Sequence, residues 1–428
     1  MAIYLWEKIP MTVYLILALG LALRLISLNQ SLWLDEAILA NAVSQFSLPD
    51  LITKFMPTDF NPPLFYLLEW FWGRLFGFSE IALRLPSVIF GLVTVYLVYR
   101  LGGKLPALLL AVSGLHIYYS QEARMYSLAA LAVAGSFYFL KQKRWGLYLL
   151  ATLAAIYSHY LTVLILPAHR KTPLWTKLVM AMGFLLWLPI FLKQLTAGFE
   201  ASATAWGELG SLTLKAAALI PVKFLIGRIS FEPTWLYGLV VIPGLLVWFW
   251  LMYLGRRQAK DYWLWLGVPL VLGLALSLKF SVLSYFRFLF LLPAVYLWLD
   301  LGVKKLKKTW LLPVILFLVV FNLSSASIYL FNSQFHREDW RGLADYLSAS
   351  NLDQSPVLIY PQVAAPLKYY YAGPINQGAA DELWLVPYAQ PIFDPQNSAA
   401  KNLAAGGYLP VVSQIFGGDL SLIKYRRL

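Results

Sequence analysis

Two carboxylates stand side by side in the segment LWLDEA, Asp35 and Glu36, just after the first long apolar run. Adjacent acids resist joint desolvation, so under partial burial one would act as a base near neutral pH while its neighbour orients or binds. The same spacing also suits a helix start, with Asp35 capping a helix from Ala37 and Glu36 favouring its dipole. A second cluster, SGLHIYYSQEARMYSL, places His116, Tyr119, Gln121, Glu122, Arg124 and Tyr126 at the end of another apolar run. Tyrosine at that depth is ordinary interface chemistry and an arginine there can snorkel. A Glu and an Arg entering a helix are nonetheless costly unless paired or facing a polar cavity.

Two further arginines stand about one turn inside apolar runs, Arg84 in SEIALRLPS and Arg287 in SYFRFLFLLP. A guanidinium suits phosphate at such a depth, because its charge is permanent and its fork makes paired charge-assisted bonds. Interfacial anchoring is the plain alternative for each one singly. Together with Arg124 they favour an anionic lipid headgroup. Among the histidines, His159 in IYSHYLT ends a run where substrate would reach it, whereas His169 and His336 fall elsewhere. No pair has metal-ligand spacing, and the absence of cysteine excludes thiolate sites, thiol catalysis and disulfides. No cofactor is expected, and a divalent ion held by Asp35 or Glu36 has only weak support.

The elements that must position these groups are helices in a bilayer. A chain of 428 residues that is 60% hydrophobic and 13% charged would cover a soluble surface badly. Apolar runs predict about eleven transmembrane helices, near 9-28, 81-99, 105-120, 125-140, 145-158, 160-168, 174-192, 233-254, 262-278, 284-302 and 309-330. Every second loop is basic: Arg100 and Lys104; Lys141, Lys143 and Arg144; Arg170 and Lys171; Arg256, Arg257 and Lys260; Lys304, Lys305, Lys307 and Lys308. These loops are therefore expected in the cytoplasm, so the net charge of +13 follows from topology and not from nucleic-acid binding.

The other loops then face outward with the tail. They hold Asp35, Glu36, Asp50, Asp59, Glu69, Glu80, Glu122, Glu200, Glu208 and Glu232, and the tail adds its own acids from Glu338 to Asp419. Only Glu7, Asp261 and Asp300 fall inside, so acid-base chemistry is expected outside. Loop 29-80 contains AILANAVSQF and PPLFYLLEWFWGRLFG, and loop 193-232 a similar mixed run, which predict helices lying at the interface. The first apolar segment lacks a small-residue cleavage site and reads as a retained anchor. Residues 332-428 read as helix (EDWRGLADYLSAS), strand (PVLIYP), helix (APLKYYYA) and weaker elements, a small α/β domain.

Taken in order, the acidic pair, NPPLFYLLEWFWGRLFGFSEIALRLPS, HIYYSQEARMYSL and REDWRGLADYL resemble the bacterial branch of the dolichyl-phosphate-mannose-protein mannosyltransferase family. These are GT-C fold glycosyltransferases of the family 39 type, with the lipid A aminoarabinose transferases as relatives. The resemblance implies an all-α polytopic GT-C bundle over 1-331 and a small α/β extracytoplasmic domain over 332-428. Its location would be the cytoplasmic membrane of a bacterium, with the N-terminus in the cytoplasm. The catalytic acid of the family's first outer loop falls on Asp35, with Glu36 beside it.

The implied donor is a polyprenyl-phosphate sugar, the acceptor a hydroxyl of a lipid, protein or glycan, and membrane lipids surround both. Arg84, Arg124, Arg287 and Tyr126 would then serve the donor phosphate. Glu122, His116, Tyr119, Gln121, Asn61 and His159 would contact substrate. Many relatives carry His where Asn61 precedes Pro62-Pro63, and the tail beyond Asp353 carries no matching motif. From other classes, a lipid or solute transporter, or a tail-borne binding module on an inert anchor, stand as alternatives.

Overall fold

The structure, a computed structural model, describes residues 10-170, 172-202, 211-360, 364-377 and 380-428. Glu7, Lys171 and Glu208, and the side chain of Glu200, lie outside the described residues. Contacts divide the chain into two compact units. One comprises Met1–Leu28, Leu48–Phe71 and Arg84–Phe331, and the other Asn29–Ser47, Trp72–Leu83 and Asn332–Leu428.

The first unit is helical. Among the described residues four helices are long and apolar enough to cross hydrocarbon: Glu80–Gly102, Thr234–Gly255, Tyr285–Val303 and Lys308–Phe331. Leu174–Leu185 and Leu188–Phe199, bent by 70° at their junction, make a fifth if taken as one span. The chain is therefore a multi-pass membrane protein.

Other expected spans are met by shorter helices, Met11–Leu25, Tyr126–Lys141 and Trp145–Ser158. At 1.5 Å per residue a 15-residue helix such as Met11–Leu25 reaches only about 22 Å. The run expected at 105-120 is not one helix: it breaks at Val112 and Ser113 into Lys104–Ala111 and Gly114–Ser120. That expected at 160-168 is a 3-10 helix containing Pro167. Eleven full spans thus remains the expectation of the apolar runs. The helices expected in the long loops are present as Leu34–Gln45, Pro63–Phe76 and Leu214–Ile226, the last capped by Thr213, whose side chain accepts from the Ala216 amide at 3.0 Å.

Small residues let two spans touch backbone to backbone. A Cβ on Gly302 would lie 2.1 Å from the Leu251 carbonyl oxygen, and one on Gly255 would lie 2.8 Å from the Gly302 nitrogen. Such close approach is how helices pack where no hydrophobic effect drives them together. Gly302→Ala is expected to cost about 1–3 kcal/mol by overpacking. A lowered melting midpoint in detergent, with Gly267→Ala as the control, would show it, because a Cβ on Gly267 meets only the Trp263 ring at ordinary contact distance, 3.6 Å or more.

The second unit builds a mixed sheet from β1 (Val357–Tyr360), β2 (Glu382–Pro387), β3 (Tyr408–Phe416) and β4 (Leu420–Arg427), in the order β1-β2-β4-β3. β1 and β2 are parallel, joined through helix Ala365–Tyr370, and the other pairs are antiparallel. The tail's first helix starts at Trp340, two residues later than Glu338, because Asp339 stays outside as its cap and accepts from the Gly342 amide at 2.9 Å. Trp340, Leu343 and Leu347 of this helix pack with Val357, Ile359, Trp384 and Val386 of the sheet. Leu34, from the acidic loop helix, belongs to the same apolar core, so the first outer loop helps to build this unit.

Candidate functional site

The acidic pair lies in the first turn of Leu34–Gln45. Trp33, not Asp35, is the residue that precedes the helix, and it makes no side-chain cap bond, so the capping alternative for Asp35 does not hold. Both acids sit where the helix N-terminus favours negative charge. Their environments differ: Asp35 is half-buried, whereas Glu36 is fully buried against Arg337, whose Nε lies 3.3 Å from Glu36 Oε2. Nearby, Glu338 accepts from the Tyr388 hydroxyl at 3.1 Å and from Trp340 Nε1 at 2.8 Å. Burial pushes the Tyr388 phenol up, and the charges of Glu338 and Asp35 add to that, so it stays a neutral donor. One carboxylate of the pair is thus tied into an ion pair, and Asp35 keeps solvent-accessible surface.

The second group of residues lies in the first unit, where the chain breaks between Gly114–Ser120 and Tyr126–Lys141. Tyr119 and Tyr126 meet edge to face at 5.1 Å, and both rings border Phe286, the neighbour of Arg287. Tyr126 also contacts His159, with ring centroids 5.9 Å apart. The charges of Arg287 and Arg124 both reach His159, and that of Glu122 reaches Arg228. Among the described residues the buried His159 Nδ1 has no hydrogen-bond partner. Arg124 and Glu122 are almost fully buried, while Arg287 is half-buried, bonds the Ser281 carbonyl and lies beside the Phe286 ring at 5.8 Å. Arg228 is exposed yet donates to the Tyr118 hydroxyl at 2.6 Å, with its guanidinium 4.6 Å from that ring. Arg228 thus lies against Tyr118, Arg287 beside Phe286, and both Arg287 and Arg124 near His159.

Four expected contact residues are committed to the frame. Gln121 donates to the carbonyls of Arg24 and Ile26 at 3.0 and 2.6 Å and accepts from Tyr329 at 2.9 Å, locking three segments together. His116 Nδ1 accepts from the buried Arg24 at 2.7 Å, which puts the imidazole proton on Nε2. Asn61 donates to both Asp59 oxygens at 3.1 Å, and its carbonyl accepts from Gln194 at 2.8 Å. Arg84, fully buried, donates to the Leu28 carbonyl at 2.8 Å. Gln121→Leu is expected to cost about 1–3 kcal/mol by orphaning buried carbonyls. Thermal unfolding in detergent would measure it.

Arg24, Arg228 and Arg337 were not singled out from the chain. Arg24 had a signal, an arginine within the first apolar run, which in hydrocarbon marks a paired or functional position. Arg228 had only its place in an outer loop, and nothing local pointed from Arg337 to Glu36. A further feature of the first unit is an apolar cavity of about 560 Å³ bordered by Ile156, Tyr160, Met180, Ala181, Phe184 and Phe191. Among the described residues no three His, Asp or Glu side chains converge as a metal-ligand set.

No protein-family model and no curated protein matches the sequence. Solved structures do. The chain is similar to ArnT from Cupriavidus metallidurans in the apo state, at 14% identity over 96% of this chain and 97% of that one, TM-score 0.56. The same protein bound to undecaprenyl phosphate matches at 12% identity over 97% of both chains, TM-score 0.52. An oligosaccharyltransferase from Archaeoglobus fulgidus matches at 12% identity over 85% of this chain and 62% of that one, TM-score 0.50. Matched to these GT-C glycosyltransferases over nearly its whole length, the chain is a multi-pass membrane protein with the GT-C fold.

Proposed function

We propose that this protein is an inverting glycosyltransferase that moves a sugar from a polyprenyl-phosphate donor to an acceptor hydroxyl at the outer face of the cytoplasmic membrane. The observation that carries this reading is the half-buried Asp35 beside an ion-paired Glu36, at the start of the first loop helix of a GT-C fold. The likeness to a protein solved with undecaprenyl phosphate supports the donor class.

In a single in-line displacement the acceptor oxygen bonds to the anomeric carbon as the bond from that carbon to the phosphate oxygen breaks. The acceptor proton passes to Asp35, and polyprenyl phosphate leaves with the electron pair. Phosphate is a good leaving group, so cations serve it better than an acid does. Arg124, Arg287 and Arg228 are assigned to its growing charge, with His159 and Tyr126 as neutral neighbours and Glu122 orienting the guanidinium groups. Arg84, Gln121, His116 and Asn61 act by holding the helices around them.

The prenyl chain needs apolar space, and the cavity beside Ala181 offers it. Ala181→Trp is expected to raise KM for a long-chain donor about tenfold, near 1.4 kcal/mol, and to leave a two-isoprenoid donor unaffected. The reading itself is tested with purified protein in proteoliposomes, labelled polyprenyl-phosphate hexose or pentose, and a membrane extract as acceptor source. Glycosylated acceptor and free polyprenyl phosphate are expected in equal amounts. Movement of labelled lipid between leaflets with no glycosyl product would make the protein a transporter instead.

A further inference from the structure

The stretch HREDWR, His336 to Arg341, opens the tail, and its alternate residues Arg337, Asp339 and Arg341 are bonded to the first outer loop within the second unit. The Arg337 amide donates to Gln30 Oε1 at 2.8 Å, and its side chain pairs with Glu36. Asp339 accepts from the Ser31 hydroxyl at 3.3 Å, while the Arg341 amide donates to that hydroxyl at 3.2 Å. The Arg341 guanidinium reaches the Asn29 carbonyl at 2.9 Å and the carboxylate of Glu80, which also accepts from Tyr370 at 2.9 Å. Tyr370 in turn accepts from the Leu32 amide at 2.7 Å. The loop that carries Asp35 is therefore gripped on both sides of the acidic pair by residues from the far end of the chain.

One of these contacts is electrostatically unlike the rest. Arg337 and Glu36 have side chains only 2% and 0% exposed, so the pair is shielded from salt and water. Without the arginine, a buried anion would stand next to Asp35 in sequence and in space. Like charge at that distance raises the pKa of whichever acid yields first.

Resting on the reading of Asp35 as the base, we propose that Arg337 is a positioning residue of the transfer reaction, cancelling the Glu36 charge beside the base and holding its helix turn in place. Among the described residues, the groups shown facing this turn include Glu36 and Asp35 on the helix, Arg337 and Glu338 from the tail's first segment, and Tyr388 after β2. Of these, Arg337 alone is cationic. The tail is on this view part of the catalytic apparatus and not an appended module.

The test is the pH profile of kcat/KM for four purified proteins. Arg337→Gln is expected to lower kcat at pH 7 at least tenfold, with donor KM little changed, and to move the acidic limb up by about one pH unit. Adding Glu36→Gln to that variant removes the stranded charge and should return the limb to its wild-type position. Arg337→Lys, which keeps the charge, should leave the limb in place. A folded Arg337→Gln protein with the wild-type limb and kcat would overturn the proposal. If that variant does not fold, the neutral double variant decides: a limb displaced from wild type overturns it, and an undisplaced one supports it. Asp35→Asn, run alongside, separates the two levels, since its retained activity would remove the base assignment itself, whatever Arg337 does.

Discussion

Asp35→Asn is expected to lower sugar transfer by about 10²–10⁴-fold, the usual contribution of a positioned base. That corresponds to roughly 3–5 kcal/mol of transition-state stabilisation. The substitution keeps the size of the side chain and its acceptor oxygen but cannot take up a proton. Because Asp35 is half-buried and the amide keeps its size and acceptor oxygen, the fold should survive, with an unchanged melting midpoint and elution profile. Product formation from a polyprenyl-phosphate sugar measures the effect. Turnover within threefold of wild type in a folded Asp35→Asn protein would remove Asp35 from the mechanism.

The second large effect is expected at the arginines. Arg124→Met and Arg287→Met should each lower kcat about 10²–10³-fold, as removal of one preorganised charge donor does where water is excluded. Methionine keeps a side chain of similar length without the charge. Lysine should not restore the loss, because a point charge cannot supply the forked donor set. Binding of labelled polyprenyl phosphate, followed in parallel, should weaken less than kcat falls, since charge on the phosphate grows as the bond to the sugar breaks. Equal losses in binding and in kcat/KM, with kcat itself unchanged, would make these residues lipid anchors only.

The helices were legible because apolar runs of bilayer length have few other uses, whereas the caps at Asp339 and Thr213 set two helix starts that the apolar pattern did not mark. Asp35 was legible as a candidate only through its neighbour and the family resemblance, since its spacing equally suited a cap. The structure removes that ambiguity by starting the helix one residue before it, at Leu34. What the chain could not disclose is pairing at long range. Glu36 and Arg337 carry no periodic or motif relation to one another, and Arg24 with His116 is paired across the break between two helices. The interruption at Val112 and Ser113 was hidden because both residues tolerate an apolar run. Glu69, expected in an outer loop, is fully buried within the helix Pro63–Phe76, which its aromatic run did not disclose.

The grip of HREDWR on the first outer loop spans 307 residues, from Gln30 to Arg337. Ribosomes deliver the chain from the N-terminus, so the helix bearing Asp35 leaves the insertion machinery long before its partner exists. During that interval the charge of Arg337 is missing beside Glu36, and the acidic turn has none of the tail's bonds. A polypeptide halted after the last apolar helix would carry every residue assigned to the donor phosphate and still lack a set acid. Competence would then arrive only once the stretch after the last apolar helix has been made, so that copies cut short of it would be silent toward an activated lipid that is costly to make.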